Sequence, residues 1–277
     1  MVPAPALVLA AIASVQIGAA LAKQLFATAG PGGTVLLRLT LAAALLLALA
    51  RPSLAGISPD HRRLTILFGL VLGGMNFAFY EAVDRIPLGA AVTVEFLGPL
   101  TVAVFGSRRL LDALWVVLAG AGVVALTEGG SGRLAPAGVV LAAVAGVCWA
   151  GYILLGSRLG AAFPGNVGLA LGCAVGAVAV APYGIIDGGT ALLRPEVLAA
   201  GLGVAVLSSA VPYSLEIAAL RRMPTAVFGV LMSVEPAMAA LAAFVILGER
   251  LAPRQLAGIV LVCLASAGAT LSRRRRG

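Results

Sequence analysis

The stretches IPLGAAVTVEFLGP (residues 86–99) and MPTAVFGVLMSVEP (residues 223–236) share one unusual pattern. In each, two prolines stand 12 residues apart inside an apolar run, and a glutamate lies close before the second proline. A proline costs a helix interior about 3 kcal/mol, and a carboxyl group inside a membrane is costly unless it is paired or protonated. The pattern recurs after 137 residues, which predicts a duplicated membrane unit that retains ionisable groups for transport.

The composition indicates a membrane protein with several spans. Apolar residues make up 61% of the 277 positions and charged residues 11%, against roughly 25% charged in a soluble domain. With a mean hydropathy of +1.08, the chain has too little polar surface to cover a water-soluble globule. The net charge of +8 comes from arginines between apolar runs, which indicate membrane topology and contact with lipid, and not a nucleic-acid partner.

A window of about 20 apolar residues per span predicts ten transmembrane helices. We therefore expect an all-α membrane protein built from two inverted five-helix repeats, residues 1–129 and residues 134–277, the second with a basic C-terminal tail. An odd number of spans in each half inverts the second copy, and such transporters bind their substrate between the halves near the midplane. The expected spans are residues 4–26, 33–50, 64–83, 87–106, 111–127, 135–156, 166–185, 196–219, 225–247 and 254–272.

The distribution of basic residues predicts that both termini face the cytoplasm. In that orientation the inner loops hold 12 basic residues and the outer loops hold 5, as the positive-inside rule requires. The C-terminal arginine run is expected to anchor the chain at anionic lipid headgroups. The inner set is Arg51, Arg62, Arg63, Arg108, Arg109, Arg158, Arg221, Arg222 and Arg273 to Arg276, and the outer set is Arg85, Arg133, Arg194, Arg250 and Arg254.

Six short strings, spread over both halves of the chain, carry a resemblance to a known family. They are Gly73-Gly74-Met75-Asn76-Phe77, Pro87-Leu88-Gly89, Glu95-Phe96-Leu97-Gly98-Pro99, Ser107-Arg108-Arg109, Pro212-Tyr213-Ser214-Leu215-Glu216 and residues 228–237, FGVLMSVEPA. These strings resemble EamA-type transporters, specifically the threonine/homoserine exporter branch of the drug/metabolite transporter superfamily. The resemblance implies ten helices, cytoplasmic termini and proton-driven efflux of a small zwitterionic amino acid across the bacterial inner membrane. It implies no cofactor, because the proton gradient supplies the energy.

Glu95 and Glu235 are the first candidates for proton coupling or substrate binding. At about 1.5 Å per residue, Glu95 lies roughly 12 Å beyond Pro87 and Glu235 roughly 16 Å beyond Pro224. Both therefore fall near the middle of a hydrocarbon core about 30 Å thick. Glu95 could alternate between a charged form that binds a substrate ammonium and a protonated form that returns the carrier. The alternatives are a structural ion pair or a permanently neutral Glu95, and a Glu235 carboxyl group that satisfies backbone groups freed by Pro236.

Arg38 and Lys23 are the basic residues within predicted spans. An arginine in a span needs a partner or a water-filled cavity, and its planar guanidinium suits a substrate carboxylate. Arg38 could equally pair permanently with Glu95 or Glu81. Lys23 lies near the outer end of the first span, where it could bind substrate, take part in coupling, or extend outward to water.

The remaining polar candidates are Glu81, Glu216, Asn76, Tyr80 and Tyr213. Glu81 lies near the outer interface and Glu216 lies five residues before an arginine, so both are also candidates for structural charges. Asn76 and Tyr80 share one helix face, and Tyr213 and Glu216 share another. Such polar stripes line a cavity or join neighbouring helices by hydrogen bonds.

Small residues at helical spacing predict close helix contacts. Gly69 and Gly73 stand four residues apart in the third span, as do Gly172 and Gly176 in the seventh. Spacing of this kind lets two membrane helices approach closely.

The favoured function is a proton antiporter that exports small amino acids by alternating access. The alternative keeps the fold and changes the cargo to a drug, a nucleobase or another metabolite. An enzyme is not expected, because the sequence has one histidine, no metal-ligand spacing and no phosphate-binding loop.

Overall fold

The computed structural model describes residues 3–51, 57–104, 110–127, 134–220, 222–223 and 225–274, and within them the chain is almost entirely helical, with no β-strand. One 3₁₀ segment (Gly189–Leu193) follows α7, and π-helical segments follow α8 (Val206–Ala210) and α11 (Ala243–Leu247). The α-helices are α1 (Ala4–Ala50), α2 (Pro59–Arg85), α3 (Leu88–Glu95), α4 (Leu97–Val104), α5 (Leu110–Thr127), α6 (Pro136–Ala162), α7 (Val167–Gly188), α8 (Pro195–Ala205), α9 (Val211–Leu220), α10 (Thr225–Met232), α11 (Glu235–Ala242) and α12 (Pro253–Arg274).

Five of the helical stretches in the described residues are long and apolar enough to cross a membrane. The expected all-α membrane class is therefore confirmed. Shorter apolar helices overlap four of the other expected spans. The five long stretches are Ala4–Ala50, Pro59–Arg85, Pro136–Ala162, Val167–Leu193 and Val227–Leu247, and the shorter ones are Leu88–Val102, Leu114–Leu126, Pro195–Ala210 and Pro253–Ala269.

The first two expected spans are two helical arms of α1 that meet at a sharp kink, with no loop between them. Gly30 is the residue with non-helical dihedral angles, at φ 65° and ψ 165°, a region that favours glycine. The Asp187 carboxylate lies against it, and the Gly32 N–H donates to Asp187 Oδ2 across 2.8 Å. A carboxylate at the start of the second arm satisfies an N–H that the kink leaves without a carbonyl partner.

Both proline/glutamate stretches interrupt their helices, as the sequence predicts. α3 ends at Glu95 and α4 follows after one residue, because Pro99 has no N–H to donate to the Glu95 carbonyl. The break between α10 and α11 has the same origin, since Pro236 cannot donate to the carbonyl of Met232. Each of these two expected spans, the fourth and the ninth, therefore contains two short helices separated by a break.

The glycine pairs bring α2 and α7 into close contact, which confirms that expectation. A Cβ on Gly73 would lie 3.1 Å from Gly176 Cα, and one on Gly69 would lie 2.8 Å from the Gly172 carbonyl oxygen. Both distances leave no room for a larger side chain, so the two backbones pack directly against each other.

Some sequence expectations lie outside the described residues. They are the Ser107-Arg108-Arg109 string, the boundary at residues 129–133, the side chain of Tyr213, Arg221 and the last three residues of the basic tail.

Candidate functional site

A cavity of about 830 Å³ opens among the helices of both halves of the sequence. This volume lies within the range of small-molecule sites, and the wall is mostly apolar with a few polar groups, as such sites usually are. The wall is formed by Val15, Gln16, Ala19, Arg38, Met75, Asn76, Phe79, Val92, Glu95, Phe96, Pro99, Val102, Trp149, Tyr152, Ile153, Ser208, Pro212, Glu216, Phe228, Gly229, Met232, Glu235 and Ser266.

The cavity occupies one end of each interrupted span. Along α3 and α4 its wall runs from Val92 to Val102, and along α10 and α11 it runs from Phe228 to Glu235. The residues toward the opposite ends, beginning at Leu88, do not line it. Both breaks therefore border the cavity, and each carries a buried carboxyl group, Glu95 or Glu235, in the wall.

Arg38 supplies the positive charge in this cavity. Its half-buried side chain projects from the second arm of α1, and Nη1 donates to the Tyr80 hydroxyl across 3.1 Å. The guanidinium carbon also lies 5.6 Å from the centre of the Tyr80 ring, within the range of a cation–π contact. Tyr80 does not line the cavity. It therefore holds the Arg38 guanidinium in position from the side that faces away from the cavity.

Glu95 is buried in the wall and within electrostatic range of Arg38 and Glu235. Its backbone carbonyl lies against Gly146 of α6, where a Cβ would stand 2.7 Å from the oxygen. Gly98 packs on the Gly146 carbonyl in the same crossing. The Glu95 carbonyl, which receives no hydrogen bond from Pro99, therefore faces the backbone of α6. This contact positions Glu95 along the axis of the helix relative to α6.

Glu235 is the second buried carboxyl group of the wall. Its Oε1 accepts a hydrogen bond from Gln16 Nε2 across 3.1 Å, and its Oε2 has no hydrogen-bond partner. Glu216, half-buried in α9, lies within electrostatic range of Glu235. The expectation that the Glu235 carboxylate satisfies the backbone groups freed by Pro236 is wrong, because the oxygens are directed to α1 or left unpaired.

The polar residues of α2 have two different roles: Asn76 lines the cavity, and Glu81 forms an ion pair within the helix. Asn76 lines the cavity, and its Nδ2 donates to the Leu72 carbonyl across 2.8 Å. Glu81, one position beyond Tyr80, is buried and pairs with Arg85 at 2.6 Å. This pair rules out the expected alternative in which Glu81 is the partner of Arg38.

Toward the opposite end of the interrupted spans lies an ion-paired network that we call the Lys23–Glu249 latch. Lys23 Nζ lies 2.7 Å from Glu249 Oε1 and donates to the Ile86 carbonyl across 3.3 Å. The Leu88 N–H, at the start of α3, donates to Glu249 Oε2 across 2.9 Å. Lys23 does not line the cavity. Its partly exposed side chain joins α1 to the turn before α3 and to the segment after α11.

Comparison with known proteins places this arrangement in a family. Residues 136–271 match the EamA-like transporter family. The chain is 45% identical to the threonine/homoserine exporter RhtA of Salmonella typhimurium strain SL1344 over 96% of its length and 91% of the relative. It is 44% identical to the threonine/homoserine exporter RhtA of Escherichia coli strain K12, over 97% of this chain and 92% of that one.

The chain belongs to the EamA-like transporter family. The resemblance found in the sequence is thus confirmed, and the curated relatives are transporters, not enzymes. A crystal structure of a protein with 21% sequence identity has a TM-score of 0.67 over 98% of both chains. At that identity the match supports the fold alone. Together with the apolar helices, the family makes this chain a multi-pass membrane protein.

Of the residues expected to act in this transporter, Arg38, Asn76, Glu95, Glu216 and Glu235 meet in one cavity. Sequence reasoning missed Gln16, Ser208 and Ser266 in its wall, and Glu249 in the latch. Gln16, Ser208 and Ser266 could have been found as isolated polar residues in apolar spans. Glu249 lies just beyond the ninth expected span, where a carboxylate is usually an exposed loop residue.

Proposed function

We propose that this chain exports threonine and homoserine from the bacterial cytoplasm across the inner membrane, in exchange for protons. The observation that carries the proposal is a single cavity with Arg38 and buried glutamates in its wall, in a chain 44–45% identical to threonine/homoserine exporters over nearly all its length. The relatives align across both halves of the chain, which supports extending the substrate class they are named for to this site.

A zwitterionic substrate fits the distribution of charge in the wall. The α-carboxylate of an amino acid would accept from the Arg38 guanidinium, which presents a planar set of donors. The α-ammonium would meet Glu95 or Glu235 across the cavity. Both partners would replace water around the charged ends of the substrate, so a transported amino acid need not enter an apolar site unpaired.

Proton coupling is assigned to Glu95. The group lies at a helix break, is buried, and has a second carboxyl group, Glu235, within electrostatic range. Two neighbouring carboxyl groups in a site of low polarity do not both ionise readily. Loss of a proton would create the site for the substrate ammonium, and uptake of a proton from the other side of the membrane would release it.

The expected inverted repeats, residues 1–129 and 134–277, remain part of the proposal. Support comes from the two interrupted spans, whose prolines occupy the same relative positions and whose breaks both border the cavity. Ten spans with cytoplasmic termini would place the latch at the outer ends of the helices. Alternating access would then require the latch to open when the cavity closes at its other end.

Transport into inverted membrane vesicles tests this function. Vesicles from cells that produce the chain would be given an acidic interior, and labelled amino acids would be offered outside. We expect threonine and homoserine to accumulate, and the accumulation to disappear when a protonophore removes the gradient. Vesicles without the chain provide the background. No accumulation of any amino acid would overturn the proposal.

The aromatic part of the wall supports a second candidate, export of a larger flat metabolite such as a nucleobase. Trp149 and Phe96 form an edge-to-face pair with ring centres 5.6 Å apart, and Tyr152 lines the same cavity. Flat rings stack on such side chains. Competition decides between the candidates: a nucleobase that blocks threonine accumulation would favour the second, and transport that survives Arg38→Ala would remove the need for a carboxylate on the cargo.

A further inference from the structure

A second cavity, of about 470 Å³, lies between α2 and α7, and we call it the α2–α7 groove. Among the residues that the structure describes, it shares no wall residue with the cavity that holds Arg38 and the glutamates. Two of its wall residues, Arg62 and Thr65, are polar. The rest of the wall is apolar and consists of Ile57, which precedes α2, Ile66 on α2, and Leu171, Ala174 and Val175 on α7.

The groove opens on the lipid-facing surface of the helix bundle. Ile66 is 42% exposed, and Leu70, one turn further along α2, is 49% exposed. On α7, Val178 stands one turn beyond Ala174 and is 75% exposed. Exposed apolar side chains of a multi-pass membrane protein contact the acyl chains of the bilayer. The groove therefore continues into a surface that lipid covers, and an acyl chain can enter it from the side.

The glycine crossing of α2 and α7 adjoins one end of the groove. Val175 packs against Gly69 at this crossing and also lines the groove. Toward the start of α2 the wall continues through Ile66 to Arg62, which lies four residues earlier, or about 6 Å along the helix axis. The groove thus has a close backbone contact near one end and a guanidinium near the other.

Arg62 supplies a positive charge that has no ion pair within the described part of the chain. Its side chain is exposed. Asp60, the acidic residue in the first turn of α2, is also exposed and does not line the groove. Side chains on a helix lean toward its N-terminus, so the guanidinium is directed to the membrane surface and the methylene groups lie along the apolar wall. An anionic group can therefore bind Arg62 without displacing an acidic partner.

We propose that the α2–α7 groove binds an anionic phospholipid, with the lipid phosphate at Arg62 and one acyl chain along Ile66 and Ala174. A guanidinium binds phosphate through two parallel hydrogen bonds, and basic pockets between transmembrane helices are typical sites for anionic headgroups. With cytoplasmic termini, as proposed above, the start of α2 faces the cytoplasm and the lipid belongs to the inner leaflet. A free phosphate ion would use Arg62 alone, whereas a phospholipid occupies both the basic and the apolar parts of the groove.

Lipid binding is measured by native mass spectrometry of the purified full chain in detergent. Increasing amounts of dioleoyl phosphatidylglycerol are added, and dioleoyl phosphatidylcholine, with the same acyl chains and no net charge, is the neutral comparison. We expect the unmodified protein to bind the first phosphatidylglycerol at least about tenfold more tightly than phosphatidylcholine. Arg62→Gln should remove most of that preference.

Arg63→Gln is the matched control. Arg63 is the neighbouring residue and is also exposed, so its loss removes the same charge from the same turn, but it does not line the groove. Its variant should keep most of the preference for phosphatidylglycerol. An equal loss in both variants would show that diffuse surface charge attracts the lipid, and would overturn the proposal. Equal binding of the two lipids by the unmodified protein would overturn it as well.

Ala174→Leu tests the apolar part of the groove. The larger side chain fills the groove and leaves every charge in place, so we expect phosphatidylglycerol to bind severalfold more weakly. Ala143→Leu, an exposed change on α6 outside the groove, is the control and should bind lipid like the unmodified protein. Unchanged binding by Ala174→Leu would reduce the site to an anion contact at Arg62 and overturn the phospholipid site.

Glycerophosphoglycerol, the lipid headgroup without its acyl chains, gives a second measurement that needs no variant. At equal concentration it should not displace phosphatidylglycerol, because it lacks the part that occupies the apolar wall. Displacement would overturn the phospholipid site in the same way, and this result decides the question if Ala174→Leu does not accumulate in the membrane.

The lipid site and the transport function can fail independently. Native mass spectrometry detects lipid on the protein whether or not the chain transports an amino acid, so absence of threonine accumulation in vesicles would leave the lipid result standing. Absence of a preference for anionic lipid would overturn the groove site and leave threonine export untouched.

Discussion

Two regions of this transporter, the Lys23–Glu249 latch and the cavity, differ in how many of their carboxylate oxygens have a hydrogen-bonding or ionic partner. In the Lys23–Glu249 latch, one Glu249 oxygen faces the ammonium and the other accepts from the Leu88 N–H. In the cavity, Glu235 has one oxygen bonded to Gln16 and one with no partner. A carboxylate with both oxygens occupied joins helices, whereas one with a free oxygen and a cavity beside it can receive a ligand or a proton.

The largest effect that this comparison predicts is at Glu95. We expect Glu95→Gln to lower proton-driven threonine efflux by about 100-fold or more, because the amide keeps the shape of the side chain but can neither release a proton nor balance an ammonium. The remaining transport should no longer respond to an imposed pH gradient. The measurement is efflux from proteoliposomes at several internal and external pH values.

Glu196→Gln is the matched control for that experiment. Glu196 is exposed in the first turn of α8 and does not line the cavity. Its variant should transport like the unmodified protein. Normal gradient-dependent efflux by Glu95→Gln would remove Glu95 from the mechanism and leave Glu235 as the carboxyl group to examine.

A smaller effect is expected when Arg38 is changed to lysine. The charge remains, but the planar set of donors and the stacking on Tyr80 are lost. Hydrogen bonds to charged groups contribute about 1.5–3 kcal/mol each, so we expect the KM for threonine to rise about tenfold or more. The exposed Arg194, changed to lysine, provides the control. An unchanged KM would show that the substrate carboxylate binds elsewhere.

The paired stretches made much of the cavity predictable from sequence. Prolines at equivalent positions had to interrupt both helices, and the glutamates beside them had to lie near the middle of the bundle. The glycine spacing likewise fixed the contact between α2 and α7. These features depend on local residue types, so they could be inferred without knowing how the helices are arranged.

The latch could not be predicted in this way. Lys23 and Glu249 are 226 residues apart, and each by itself has the features of a charge near a membrane surface. Their pairing depends on the packing of α1 against the segment after α11. The α2–α7 groove could not be predicted for a similar reason, because its two sides come from residues 57–66 and 171–175, which only the packing of α2 on α7 brings together.

Removing one partner of the latch should destabilise the protein. The two side chains are 22% and 17% exposed, so Lys23→Met would leave a largely buried carboxylate without its cation, at a cost of about 1–3 kcal/mol. We expect the apparent melting temperature in detergent to fall by a few degrees. Glu249→Gln added to Lys23→Met should recover most of the loss, because no charge is then left unpaired.

The same pair of variants separates the latch from the cavity. The double variant should bind threonine with a nearly unchanged affinity, since neither residue lines the wall. A large rise in the threonine Kd, with no change in melting temperature, would instead place Lys23 in the binding site.

The smallest effect is expected at the kink of α1. Asp187 accepts from the Gly32 N–H at 2.8 Å and from the Gly33 N–H at 3.4 Å, so Asp187→Asn retains one acceptor oxygen but loses the charge at the start of the second arm. The expected loss is about 0.5–1 kcal/mol, seen as a small fall in melting temperature with transport preserved. Asp84→Asn, an exposed change at the end of α2, should have no such effect. Because the second arm carries Arg38, a loss of threonine binding in Asp187→Asn without loss of stability would show that the kink sets the position of the guanidinium, and the structural and functional regions would then be coupled through α1.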